Sequence, residues 1–526
     1  MYKRQDLEDS FEVPGLDSAE ATELLEAADS DRAGLAARVV MTPLDDGASF
    51  FESVALQDAV ADVQADVGAL TNVLATNDPA AALGAGPDAA VASGSVSADG
   101  EVVVLQVQYP VLQDLSAADL DELKDAVADA RDGSPLQVEA SGDLFFNFEE
   151  SGQGTAELIG LAAAVVILLV AFGSVIAMGL PIGMALFGLA LGISAMSLLT
   201  YLIEIPGWAP QMASMIGLGV GIDYALFLVT RHRELLARGM AVDEAAGRAV
   251  ATAGQAVIFA GATVVVAILG LSVAGVPFMT AAAVATSVIV GIMVVAAVTL
   301  LPAFLGLAGH KINRYGIHRR GTVPGTVGTG WQRWGRHVSR HAWPYAIGVT
   351  AVLVALTLPV FALQLGFPDE GTQPESRTER RAYDLVAEGF GPGVNGPLVV
   401  AVDIAGDQTV VEPLTAAIAA DEGVVSATAA EVDAEAGVAA IVAYPTTAPQ
   451  DDATLATVER LRTDVFPTVL DDSPATAHVG GSTANFGDVA ERVSDRLPLF
   501  IACLLYTSPS PRDATSHLVC RLLLEK

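Results

Sequence analysis

Long apolar runs alternate with shorter, more polar patterns along this 526-residue chain. Six runs are nearly free of charge over about 20 residues, the length that crosses a hydrocarbon core. They lie at 157–177, 179–202, 211–230, 255–275, 278–307 and 343–365. The fifth is long enough to tilt, or to bend near Pro302. The regions on either side have other periods. In the first, "EVVVLQVQYP" (101–110) is β-like, "SAADLDELKDAVADARDG" (116–133) opens on a serine cap and continues as an amphipathic helix, and "LQVEASG" (136–142) is β-like again. Segment 22–75, Ala-rich with "FFESVALQDAVADVQADVGAL", reads as partly helical. In the second region, "PLVVAVDIAG" (397–406), "VVEPLTAAIAA" (410–420), "VAAIVAYP" (438–445), "ATLATVERLRTDVF" (453–466) and "ATAHVGG" (475–481) repeat the alternation. This order predicts two small α+β domains of split βαβ (ferredoxin-like) type, each packing helices on one face of a sheet. The expected fold class is a polytopic α-helical membrane protein carrying two such domains.

Composition sharpens that division. Apolar residues make up 52% of the chain, too many for an ordinary soluble protein. The net charge of −35 argues against nucleic acid as a partner, because phosphate backbones need clustered Lys and Arg. Residues 1–155 hold 31 acidic and 6 basic side chains, and 366–496 hold 23 and 7. Between them, 156–365 contains only six carboxylates: Glu157, Glu204, Asp223, Glu234, Asp243 and Glu244.

Orientation follows from Lys and Arg in the loops. Segment 231–240 carries Arg231, Arg233 and Arg238. Segment 309–342 carries Lys311, Arg314, Arg319, Arg320, Arg333, Arg336 and Arg340 with no acidic residue. Both are expected in the cytoplasm, which puts the acidic regions and the loop "EIPGWAP" (204–210) outside the cell membrane. The expected layout is a first external domain over 6–155, five spans over 156–308, a cytoplasmic linker over 309–342, a span over 343–365, a second external domain over 366–496, and a further span opening at 497–502.

Both ends have a foreign character. "MYKRQ" (1–5) and "CLLYTSPSPRD" (503–513) are encoded by strings whose beginnings are reverse complements, as in a transposase-type sequencing adapter read through at both ends. Residues 1–5 and 503–526 are therefore expected to be artefacts, with neither natural terminus present. Cys503 and Cys520, the only cysteines, lie in the suspect tail, so no disulfide or thiolate metal site is argued.

One motif carries candidate chemistry. "GLGVGIDYALFLVTRHREL" (217–235) sets Asp223 inside an apolar run, eight residues from Arg231. That is about 12 Å along a helix, near the middle of a core about 30 Å thick. A carboxylate there is costly, and such groups usually carry ions or protons. The bland alternative is a neutral, hydrogen-bonded Asp that fixes helix packing. Ser214, Gly217 and Gly221 form a small-residue stripe suited to close helix contact. Asp223 lies about 200° around the helix from Gly221. The stripe can thus dock on one neighbour while Asp223 faces another. Tyr224 adjoins it with a phenol that donates or accepts. An apolar setting should raise the aspartate's pKa and allow both protonation states near neutrality.

"GLGVG" is not a nucleotide loop, since no βαβ context surrounds it. His232, His310, His318, His337 and His341 neighbour arginines, and the expected role is a solvated basic face meeting anionic lipid headgroups rather than a metal site. No catalytic arrangement of side chains can be placed in one compartment, so no enzyme is expected.

At these residues the chain resembles the MMPL (mycobacterial membrane protein large) branch of the resistance-nodulation-division (RND) superfamily of exporters. The matching pieces are "AELIGLAAAVVILLVAFGSVIAMGLPI" (156–182), "MIGLGVGIDYALFLVTRHREL" (215–235), "TLLPAFLGLAGHKINR" (299–314), "GFGPGVNGPLVV" (389–400) and "GGSTANFGDV" (480–489). The resemblance implies an RND-type bundle of twelve spans, two external porter domains, and export of a hydrophobic or lipid substrate driven by the proton gradient, without another cofactor. It implies that Asp223 and Tyr224 are half of a proton relay. The matching Asp-Tyr pair would lie on the tenth span, beyond this chain, which is not expected to transport by itself. Membrane lipids are the expected partners, and self-association into a homo-oligomer is left open. Multidrug efflux, a sterol- or lipid-sensing receptor and a protein-translocation accessory are the alternatives within the same superfamily.

Overall fold

The computed structural model describes residues 13–28, 35–45, 47–110, 114–148, 153–313, 329–362, 369–433 and 436–507. The expectations for 1–5 and 508–526 fall outside these residues. In chain order the first region holds α1 (Asp17–Ala28), β1 (Ala36–Pro43), α2 (Val54–Gly68), β2 (Ala75–Thr76), α3 (Pro79–Gly84), α4 (Pro87–Ala92), β3 (Val103–Gln108), α5 (Ala117–Arg131), β4 (Leu136–Gly142) and α6 (Asp143–Phe148). The apolar block holds α7 (Gln153–Phe172), α8 (Val175–Leu199), α9 (Ala209–Ala237), α10 (Val242–Ala249), α11 (Gln255–Leu269), α12 (Pro277–Val298), α13 (Leu300–Ala308), α14 (Thr329–Arg340) and α15 (Ala342–Thr357). The second region holds α16 (Thr378–Phe390), β5 (Leu398–Asp403), α17 (Val411–Ala419), β6 (Val424–Asp433), β7 (Val438–Pro445), α18 (Asp452–Arg460), α19 (Phe466–Leu470), β8 (Thr476–Gly480) and α20 (Ser482–Thr507). Glu12–Ser151 and Gly366–Glu491 form one unit; Gly152–Leu365 and the residues from Arg492 onward form another.

In the sheet-bearing unit, two four-stranded sheets have orders β2-β3-β1-β4 and β6-β7-β5-β8. Neighbouring strands pair antiparallel, with Val39 opposite Leu105 and Ala140, and Val400 opposite Ile441 and Val479. A strand from the other half is thus inserted into each β-α-β pair, which is a split βαβ topology. Helix α5 starts where expected: the Ser116 backbone N–H donates to Asp119 Oδ2 at 2.8 Å, and the Ser116 hydroxyl donates to the same oxygen at 2.9 Å. Val39, Met41 and Leu105 pack with Val60, Val63, Leu120 and Leu123 in the first core.

Helices lie on more than the one expected face. Val40, Val102 and Val104, on the other side of the first sheet, are covered by Ala382 and Val386 of α16, which belongs to the second region. In return, α1 of the first region packs along β8 and β5. Its Ala21 approaches Gly480 so closely that a Cβ there would lie 2.8 Å from the Ala21 Cβ. Two regions of the chain exchange helices because each sheet has apolar side chains on both faces. Strand β1 lies inside segment 22–75, where the sequence reads as partly helical. Of that reading α2 is present, but the Ala-rich composition hides a central strand. Strand β6 was also not expected.

In the helical unit, five described helical segments are long and apolar enough to cross a membrane: Val175–Leu199, Ala209–Ala237, Val242–Ala274, Pro277–Ile312 and Ala342–Val360. The apolar part of the helix before them, Leu158–Phe172, is shorter. It stops short of the expected 177 because Gly173 takes φ +61° and Ser174 begins the next helix. The third of these, Val242–Ala274, begins before the expected 255 and passes through a π-turn at Val250–Gly254. Its first turn holds Asp243 and Glu244, where helix-end N–H groups favour negative charge. The break near Pro302 falls at Thr299, where φ −118° and ψ −63° separate α12 from α13. Proline at 302 has no N–H to donate back to the preceding turn. Helix α20 runs unbroken from Ser482 through Pro498 to Thr507, so residues 497–507 continue a helix begun outside the apolar run.

Candidate functional site

Helix α9 is 29 residues long and begins with proline in its first turn, where the missing N–H costs nothing. Its glycines are unfavourable for a helix, by about 1 kcal/mol each relative to alanine. Packing explains two of them. A Cβ on Gly217 would lie 3.0 Å from Ile289 Cγ2 on α12, and one on Gly221 would lie 3.1 Å from both Ala185 Cβ on α8 and Met293 Sδ on α12. Gly219 faces open space. Ser214 is buried, and its hydroxyl donates to the Gln211 carbonyl at 2.8 Å. Ser214, Gly217 and Gly221 therefore form the face on which α8, α9 and α12 meet.

Asp223 lies away from that seam. It is exposed, in a row with Met215, Gly219, Phe227 and Thr230 along a side of α9 that no described residue covers. Tyr224 is buried at 5% exposure, in the cluster with Leu228, Val257 and Ala297. Its ring lies against α11, where Cε2 would be 3.4 Å from a Cβ on Gly261. The two adjacent residues thus serve different faces.

At the end of α9, Glu234 pairs with Arg231 at 2.7 Å and with Arg238 at 2.5 Å, both one turn away. Arg233 stacks over the Phe172 ring at 5.4 Å. His232 corrects an expectation. It is fully buried rather than part of a solvated basic face, because i, i+4 spacing puts it on the same side as Leu228 and Leu236. His318 lies outside the described residues. Among the described residues, no group of three His, Cys, Asp or Glu side chains is placed to hold a metal ion.

The sheet-bearing unit contains a cleft of about 440 Å³ where the first sheet meets α16 and Tyr444. Val104, Val386 and Phe390 supply apolar wall; Arg38, Asn77 and Gln106 supply polar wall. Contacts across the exchanged helices hold it together. Glu139 on β4 is buried and accepts from Arg381 Nε at 2.7 Å, from the Thr378 hydroxyl at 2.7 Å and from Arg131. The Gly142 N–H donates to Glu370 at 2.6 Å, and burial pushes the Glu370 carboxyl up. On the second sheet, Asp17 of α1 meets His478 Nδ1 at 2.8 Å and Arg462 at 2.6 Å and accepts the Val479 N–H at 2.8 Å. The Asp17 hydrogen bond holds His478 above its usual range. Burial opposes ionisation of Asp17, but His478 and Arg462 together keep its carboxyl below the usual range. None of this clasp was legible in the sequence, since its contacts between the two regions join residues more than 200 positions apart.

The MMPL family profile matches residues 10–347, more than half of the chain. Membrane protein YdfJ of Bacillus subtilis (strain 168) is 36% identical over 418 residues, 78% of this chain and 56% of that protein. The mycolic acid-containing lipids exporter MmpL11 of Mycolicibacterium smegmatis is 28% identical over 365 residues, 67% of this chain and 38% of that protein. The trehalose monomycolate exporter MmpL3 of Mycobacterium tuberculosis (strain ATCC 25618 / H37Rv) is 30% identical over 295 residues, 51% of this chain and 31% of that protein. The chain spans about half the length of the first curated relatives it matches. Its apolar helices and this family match together make it a multi-pass membrane protein belonging to the MMPL family.

Proposed function

We propose that the protein exports lipids or other hydrophobic and amphipathic molecules across the cytoplasmic membrane, driven by the proton gradient. Asp223 carries the proton, and Tyr224 is the hydroxyl group that accompanies it. The observation that carries this reading is the division of α9: its small-residue face is packed on α8 and α12, while Asp223 is left on the uncovered face. A carboxylate spared from the seam is available to the matching Asp-Tyr pair that the family resemblance places on another span. The lipid assignment rests on two relatives named as exporters of mycolic acid-containing lipids and of trehalose monomycolate.

In this reading the two α+β regions are external porter domains, and segment 309–342 is cytoplasmic. The cleft between the first sheet and α16 is part of the substrate's path, because its mixed walls suit an amphipathic molecule.

The test uses cells making the native full-length protein. Asp223→Asn should abolish gradient-dependent flux while membrane insertion is unchanged; normal flux would overturn the relay. Lipid analysis of a deletion strain tests the cargo. Loss of a surface lipid with its precursor retained inside supports lipid export, whereas unchanged lipids with new drug sensitivity point to drug efflux.

A further inference from the structure

Helix α14 is the most one-sided helix of the described chain, and neither the relay nor the cleft uses it. On a helical wheel, Arg333, Arg336 and Arg340 fall within about 60° of arc, and His337, Trp334 and Val338 fill the next sector. The helix belongs to a segment, 309–342, with seven Lys and Arg and no carboxylate.

Its position relative to α15 is informative. Trp334 and Tyr345 are eleven residues apart, which is about 16 Å on a straight helix. Their ring centroids are nevertheless 5.7 Å apart, and the His337 ring is 5.9 Å from Tyr345. The chain therefore turns sharply at His341, whose φ −116° and ψ 39° leave the helical region. Helix α15, continued to Val360, is long and apolar enough to cross a membrane, and Trp343 and Ile347 at its start are exposed among the described residues. A helix that breaks from the end of such a span and folds its aromatic side chains back against it is placed to lie at the membrane surface.

We propose that α14 is an interfacial anchor that docks on anionic phospholipid headgroups. The guanidinium row pairs with phosphate oxygens, for which its planar fork is suited. The aromatic row sits at the headgroup level, as Trp and Tyr do at membrane interfaces. Charge complementarity selects this occupant, since the arginine row lies in a segment without a carboxylate and complements an anionic surface. The inference does not depend on the protein's cargo.

The test is spin-label depth measurement on the full chain, with both cysteines replaced by serine and a nitroxide at Val338→Cys. The protein is reconstituted into phosphatidylcholine vesicles with and without phosphatidylglycerol. A second label at Ile347→Cys selects protein whose α15 is inserted. In anionic vesicles the Val338 label should lie at the headgroup boundary, and high salt should release it. Each Arg→Gln change at 333, 336 and 340 should lower the ratio of docked to undocked helix about fivefold. Equal depth in neutral and anionic vesicles, or no change in the triple variant, would overturn the proposal. So would a label shielded from both oxygen and water-soluble relaxers in every lipid, which would mark a protein contact instead.

Discussion

Tyr224 is sealed between α9 and α11, whereas Asp223, one residue earlier, stands on the open side of the same helix. One residue is about 100° of helix rotation, enough to separate a packing side chain from an available one. The tyrosine ring is thus packed into the bundle, and the aspartate stands outside that packing.

That division predicts unequal effects on stability. Tyr224→Ala should destabilise this chain by about 3 kcal/mol through a cavity in the cluster it shares with Leu228 and Val257. Asp223→Asn leaves that packing untouched and should change unfolding in mixed micelles by much less than Tyr224→Ala does. A large loss in the aspartate variant would make Asp223 a packing residue.

The glycines of α9 should separate in the same measurement. Gly219→Ala, with open space at its Cβ, should stabilise by up to about 1 kcal/mol through helix propensity. Gly221→Ala would press on the Ala185 backbone, 3.3 Å away, and should cost about 1–3 kcal/mol. Equal effects would mean that α8 and α9 do not meet at that glycine.

Glu139 is the shared acceptor of the clasp. Glu139→Gln should destabilise the sheet-bearing unit by about 2 kcal/mol, because Arg131 and Arg381 lose their common buried anion. The cost stays below that of a fully buried pair because both arginine side chains are about a third exposed and solvent screens them. Hydrogen exchange should show α16 opening before α17. Uniform loss of protection would argue that the exchanged helix is not held by this contact.

Docking of α1 should depend on pH. His478 is raised in the folded state, so its contribution is complete below its ordinary value of 6.5 and is lost as pH rises through the raised one. Asp17 is lowered, so its contribution is complete above its ordinary 3.8 and is lost as pH falls through the depressed value. Amide protection in α1, corrected for intrinsic exchange, should therefore be highest between about pH 4 and 6.5 and decline on the alkaline side. His478→Asn should remove the alkaline decline. If the decline persists, another group controls the docking.

Topology is open to direct measurement. A protease added outside intact cells should cut within 366–496 and spare 309–342. The reverse pattern would invert the proposed orientation.

Periodicity alone was enough to locate most apolar helices, the capped helix α5 and the strands β3, β4, β5, β7 and β8. Those signals are local: a period of 3.6 or 2 states which residues share a face. Composition likewise separated the acidic regions from the apolar block, and the motif around Asp223 carried the family resemblance. What covers each face was decided only by tertiary packing. The second face of β1 is covered by α16 from a region more than 300 residues away, so an Ala-rich segment became a central strand. His232 is charged-looking in its basic neighbourhood, yet packing buried it with Leu228 and Leu236. The stripe of Ser214, Gly217 and Gly221 was legible as a contact face, but not which helices would meet it. That Tyr224 points into the bundle while Asp223 is left outside follows from where α8, α11 and α12 stand, and no local pattern encodes their positions.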